Sequence, residues 1–113
     1  MSEATKPGAD DLAVFQSEVA AWHLENFGEI DPTRPLLVAV EELGELAAAT
    51  TKAEQAHLKR YQGRDYNAEA KDAVGDVVIA LAAYCARRGW SLADIVPKVW
   101  AEVSQRFQGE DKP

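Results

Sequence analysis

Six carboxylates fall into two short stretches of this chain. Glu41, Glu42 and Glu45 interrupt the run from Leu36 to Ala49, and Glu69, Asp72 and Asp76 lead into Val77–Cys85, nine residues without a charge. On a helix, residues three or four apart are neighbours with Cβ atoms ~5–6 Å apart. Each stretch therefore presents one acidic turn, and in the first Val38 and Ala49 lie above and below it on the same arc. A merely solvated face would stay polar for several turns. Burying several like charges costs several kcal/mol per ion unless something compensates. Lys71 is near, but it projects to another side of its helix. The other compensation is a hard divalent cation, and magnesium takes oxygen ligands at ~2.0–2.1 Å while keeping some waters. An all-carboxylate set points to Mg²⁺, with Mn²⁺ the nearest substitute, and away from zinc. Di-iron bundles draw on Glu-x-x-His pairs, and neither acidic turn carries a histidine.

Long helices are needed to hold two such turns side by side. Asp10 can cap a first helix whose apolar residues Leu12, Phe15, Val19 and Trp22 recur at three and four, with Gly28 ending it. Asp31-Pro32-Thr33 starts a second, from about Pro35 to about Lys59, with proline tolerated in the first turn. A polar connection containing Gly63 leads to a third helix from about Ala68 to Arg88, closed by Gly89. Ser91 with Asp94 resembles a capping box for a fourth, whose stripe is Leu92, Ile95, Val96, Val99, Trp100, Val103 and Phe107. Pro97 inside that stripe predicts a bend or a late start. Period-two alternation is absent, so the expected class is all-α, a four-helix up-and-down bundle over residues 10–108. Residues 1–9 and 109–113 read as short tails.

Composition narrows the function classes. At 113 residues and 12.3 kDa the chain makes one small domain, and 47% hydrophobic residues suffice for a core. The net charge of −7 argues against a nucleic-acid or anionic-membrane surface. No apolar run approaches the ~20 residues that cross a bilayer. The opening residues lack the apolar stretch of a secretory signal, and the single Cys85 forms no internal disulfide. A cytoplasmic protein is expected. Apolar breadth around the second and third helices predicts a homodimer or homotetramer. Trp22 and Trp100 can stack on a base, though at helical spacing within apolar stripes each is more often core or subunit interface. His23 and His57 are assigned no role.

Val40-Glu-Glu-Leu-Gly-Glu-Leu-Ala47, followed by Asp72-Ala-Val-Gly-Asp-Val-Val-Ile79, resembles the MazG-like branch of the all-α nucleoside triphosphate pyrophosphohydrolases, over about residues 12–107. That family pairs Glu-Glu-x-x-Glu on one helix with an acidic pair, often Glu-x-x-Asp, on the next. The resemblance implies Mg²⁺-dependent cleavage of a nucleoside triphosphate to the monophosphate and pyrophosphate, as house-cleaning of nucleotide pools. It implies Glu42 and Glu45 as metal ligands, Glu41 as a further ligand or the group that orients and deprotonates water, and Asp76 as the final aspartate. Ala73 stands where the family often has glutamate, so the second pair reads either as Asp72 with Asp76 or as Glu69 with Asp72.

The loop Leu58-Lys-Arg-Tyr-Gln-Gly-Arg64 resembles the basic stretch of small members, which makes Lys59, Arg60 and Arg64 candidate phosphate ligands. Lys98 and Arg106 resemble the late basic residues, with Ala101 in place of a frequent asparagine. Trp22 completes the candidate substrate contacts. Two other readings stay open: an enzyme like phosphoribosyl-ATP pyrophosphohydrolase, and a non-catalytic helical module whose acidic turns meet a basic partner.

Overall fold

In a computed structural model, residues 9–106 are described, and all regular structure among them is helical. The expected tail residues 1–8 and 109–113, and Phe107 of the fourth stripe, lie outside the described residues. Helix α1 spans Ala9–Phe27, α2 Thr33–Glu54, α3 Tyr66–Arg88 and α4 Leu92–Val103, with a single 3₁₀ turn at Lys59–Tyr61.

The boundaries follow from local chemistry. Helix α1 starts at Ala9, one residue ahead of the expected cap, and the chain leaves it through Gly28 at φ 71°, a left-handed conformation that glycine adopts without strain. Helix α2 starts two residues earlier than the periodicity suggests. Asp31 accepts the Thr33 N–H on its Oδ1 at 2.8 Å, which holds that carboxyl below the usual range, and Pro35 sits where its missing N–H has no intrahelical partner to lose. The same helix ends five residues earlier than expected. The Thr51 hydroxyl donates back to the Ala47 carbonyl at 3.1 Å, and the chain turns through Gln55 before the 3₁₀ segment. Asp65 caps α3, its side chain accepting from Ala68 N–H at 3.0 Å. Gly89 closes α3 in the left-handed region, with Trp90 N–H donating to the Cys85 carbonyl at 2.9 Å. Ser91 caps α4 as expected, and α4 runs through Pro97 from an undelayed start at Leu92.

Helices α2 and α3 form the main pair, antiparallel and joined by the basic connection; α1 lies against α3, and α4 against α1. The helices thus associate as an open series in which α2 and α4 each have one principal neighbour. Gln16 of α1 fastens the α3–α4 turn: its Nε2 donates to the Trp90 carbonyl and its Oε1 accepts from Leu92 N–H, both at 2.7 Å. Arg87 donates from Nε to the Ile30 carbonyl at 3.2 Å, which ties the end of α3 to the α1–α2 link.

The core is thin. Val19, Ala82 and Ala83 form its centre, with Phe15 and Leu92 packed against them. Between α2 and α3 the buried side chains are mostly alanines: Ala39, Ala49, Ala73 and Ala80. The radius of gyration is 17.7 Å, against the ~13 Å of a compact domain of about 100 residues.

Candidate functional site in the α2–α3 cleft

Antiparallel pairing sets the acidic turn of α2 beside that of α3. A cleft of about 310 Å³ runs between the helices, lined by Glu45 and Lys52 from α2 and by Glu69, Asp72 and Asp76 from α3, over a floor of Ala48, Ala49 and Ala73. Small floor residues let two backbones approach closely and leave room above for a ligand. A second hollow of about 330 Å³ opens on the other side of Asp76, bordered by Glu42 and Asp76 and walled by Trp22, His23 and Phe27. Asp76 lines both.

Glu42 is the most constrained of the six carboxylates. Its carboxyl is pushed above the usual range, first by loss of water, then by the charges of Glu45, Asp76 and Glu41, and by a hydrogen bond with Asp76. The other acids of the two turns are more open: Glu41, Glu45, Asp72 and Asp76 are exposed, while Glu69 is half-buried. The expectation of acidic turns embedded in buried surface is corrected here for the single chain, since their apolar flanks are also solvated. Val38 is 44% and Val40 60% exposed.

Three expected acids, Glu45, Asp72 and Asp76, meet in the cleft together with Glu69, and Glu42 reaches Asp76 from the neighbouring hollow. Glu41 lines neither, and acts on the group through its charge on Glu42. Arg64 stands at the Glu69 end, donating to Glu69 Oε2 from Nε at 3.0 Å and from Nη2 at 2.7 Å, with its guanidinium over the Tyr66 ring. Lys59 and Arg60 lie on the 3₁₀ turn, exposed and off the cleft lining, with Arg60 over the Tyr61 ring. Lys98 pairs with Glu102 at 3.1 Å on α4, and Arg106 follows that helix; neither lines the cleft. Trp22 lines the second hollow, 51% exposed, with its ring edge-on to Phe27.

Lys52 and His23 were not anticipated. Lys52 lies seven residues beyond Glu45, so the series 45, 48, 49, 52 is one helical stripe, and that spacing was the available signal. His23 is buried at 8% exposure, and its Nδ1 has no hydrogen-bond partner. Burial, and then the charge of Arg87, hold its imidazole below the usual range, so it is neutral at pH 7. The one Glu-x-x-His in the sequence, Glu54 with His57, straddles the end of α2, and His57 is exposed in the turn beyond.

Among the described residues, no three histidine, cysteine, aspartate or glutamate side chains stand as an assembled metal cage. Magnesium does not require one, because it is held by one or two carboxylates, retained waters and the substrate's phosphates. The donor set fits such an ion: oxygen only, drawn from two helices, and crowded enough to raise Glu42. No family model, curated protein or solved structure matches this chain.

Proposed function

We propose that the chain is a Mg²⁺-dependent nucleoside triphosphate pyrophosphohydrolase of the MazG-like kind, yielding the monophosphate and pyrophosphate. The observation that carries this reading is the gathering of Glu45, Asp72 and Asp76 beside Lys52 in one cleft, with Glu42 near enough to feel the charge of Asp76. Glu42, Glu45, Asp72 and Asp76 would hold the cation. Bound there, it supplies charge neutralisation of the phosphates and a more acidic water.

This chain's own residues do the remaining work. Glu41 or a neighbouring carboxylate would take the proton from the attacking water; Glu41 lines neither hollow, so Glu42, which borders the second, is the nearer of the two to the cation site. Lys52 and Arg64 lie at the far end of the cleft, placed to neutralise departing pyrophosphate. Arg64 reaches it by exchanging Glu69 for phosphate oxygens. Lys59 and Arg60 raise the local positive potential from the adjoining turn. Lys98 and Arg106 contribute only if a neighbouring subunit brings them near.

The assembly proposed is a homodimer or homotetramer, supported by the solvated apolar flanks of α2 and α4. Among the described residues no helix is long and apolar enough to cross a membrane. The cytoplasm, where nucleotide pools lie, is the proposed location.

Pyrophosphate release over a panel of nucleotides, with phosphoribosyl-ATP included, tests the reading. Activity is expected with Mg²⁺ and not with EDTA, and Glu42→Gln and Asp76→Asn are each expected to lower it by about 100-fold or more. Equal rates in all samples reject it. Solvent exposure of the acids favours one rival, a non-catalytic module that engages a basic partner, for which no nucleotide turns over and Mg²⁺ leaves the melting temperature unchanged.

A further inference from the structure

Two basic side chains at the far end of the cleft share one mount. Tyr66, the first residue of α3, is 5% exposed and is the largest of the buried side chains among the described residues. The Lys52 ammonium lies 5.9 Å and the Arg64 guanidinium carbon 5.1 Å from the centroid of its ring. Both fall inside the ~6 Å reach of a cation–π contact. Tyr61 meets the same ring edge-on at 5.7 Å and carries Arg60 at 5.3 Å from its own centroid. One buried ring thus joins the last turn of α2, the connection and the first turn of α3.

What this mount does for an anion follows from the shape of the groups. A guanidinium stacked on a ring keeps its N–H donors in its own plane, free for oxygen acceptors. Arg64 has that arrangement: over the Tyr66 ring, it donates from Nε and Nη2 to Glu69 Oε2. Replacing the carboxylate by a phosphate oxygen changes the in-plane partner and leaves the ring contact in place. An ion pair as exposed as Arg64 with Glu69 holds a side chain weakly by itself. The buried ring is a second point of attachment. Long basic side chains otherwise lose much rotamer freedom when they close on a ligand, and a mount that orders them beforehand lowers that cost. Tyr66 lines neither hollow, so whatever it contributes to binding passes through Lys52 and Arg64.

We propose that Tyr66 is a positioning residue for a polyphosphate anion: its ring holds Lys52 and Arg64 as a pre-set pair, ready to take the oxygens of pyrophosphate. The choice of anion rests on the hydrolase reading, but the test separates the two. Pyrophosphate is titrated by calorimetry into wild type, Tyr66→Phe and Tyr66→pentafluorophenylalanine, each with and without Mg²⁺ and below its melting temperature. Fluorination keeps the shape of the ring and removes the negative face that attracts a cation, so a purely space-filling role would not feel it. Tyr66→Phe is expected to match wild type, and the fluorinated ring to bind pyrophosphate about 5- to 10-fold more weakly.

That order of affinities in a protein that turns over no nucleotide sustains the mount and removes the hydrolase. Nucleotide hydrolysis with equal pyrophosphate affinity for both rings keeps the hydrolase and overturns the mount. A wild type that binds no pyrophosphate, with Mg²⁺ or without, overturns it as well. Should the fluorinated chain fail to fold, Tyr66→Leu takes its place, and an affinity equal to wild type there overturns the inference too.

Discussion

Glu42 shows how much a single side chain can report. It is held above its ordinary range because water is partly excluded from it and three carboxylates face it. A raised carboxyl pKa means that the ionised form is less at ease in the folded chain than in the unfolded one, so at neutral pH this residue opposes folding. Glu42→Gln is therefore expected to raise the metal-free melting temperature and to remove any further rise that Mg²⁺ gives the wild type under the proposed function; thermal scans with and without Mg²⁺ measure both. A variant that melts lower without metal contradicts the crowding described here. Such acids were legible in the sequence because three- and four-residue spacing on a helix is close to a distance measurement. Lys52 was not, since a lysine near the end of a helix reads as ordinary surface until the opposite helix is in place. His23 hid for the reverse reason: between Trp22 and Leu24, nothing in the local sequence distinguishes an orphaned imidazole from a satisfied one.

At the scale of the elements, caps decided what could be foreseen. Gly89 and Ser91 act through contacts within four residues, so sequence suffices to place them, whereas Asp65, which caps α3 and starts it two residues earlier than expected, reads in sequence as part of the polar connection. The early end of α2 depends on Thr51 bonding back to its own helix and on where the connection must turn, and periodicity does not contain that information. The clamp by Gln16 is further out of reach, because its two partners lie more than 70 residues away in sequence. Removing it leaves the Trp90 carbonyl and the Leu92 N–H without their partner at the point where α4 joins α1. Gln16→Ala is expected to cost about 1–2 kcal/mol, read as a lower midpoint in urea with an unchanged slope. Gln16→Glu keeps the acceptor for Leu92 and loses the donor to Trp90, so it falls between the two. Neither change touches the α2–α3 cleft, and metal-dependent activity should survive both below their melting points.

For the whole molecule, the balance of buried and solvated apolar surface dominates. None of the larger side chains among the described residues is fully buried, while Trp100 is 64% exposed on α4 and Leu37, Val40 and Leu43 are more than half exposed on α2. Covering those faces with further copies, as in the proposed assembly, would add stability to a chain with so little in its interior. Light scattering is expected to give two or four chains per particle, and dilution to lower the melting temperature; a monomer at all concentrations withdraws the assembly. Composition already implied surplus apolar surface, but which faces carry it depends on the serial pairing of the helices, and that is a three-dimensional fact.

One aspartate separates the two hollows, which makes it a poor place to dissect them. Substituting Asp76 alters the lining of both hollows together, so a resulting loss has no unique source. One turn to either side the dependence splits: Asp72 belongs to the carboxylate side only, and Ile79 to the aromatic side only. Substitutions meant to tell the two hollows apart should leave the partition standing and work on the rooms.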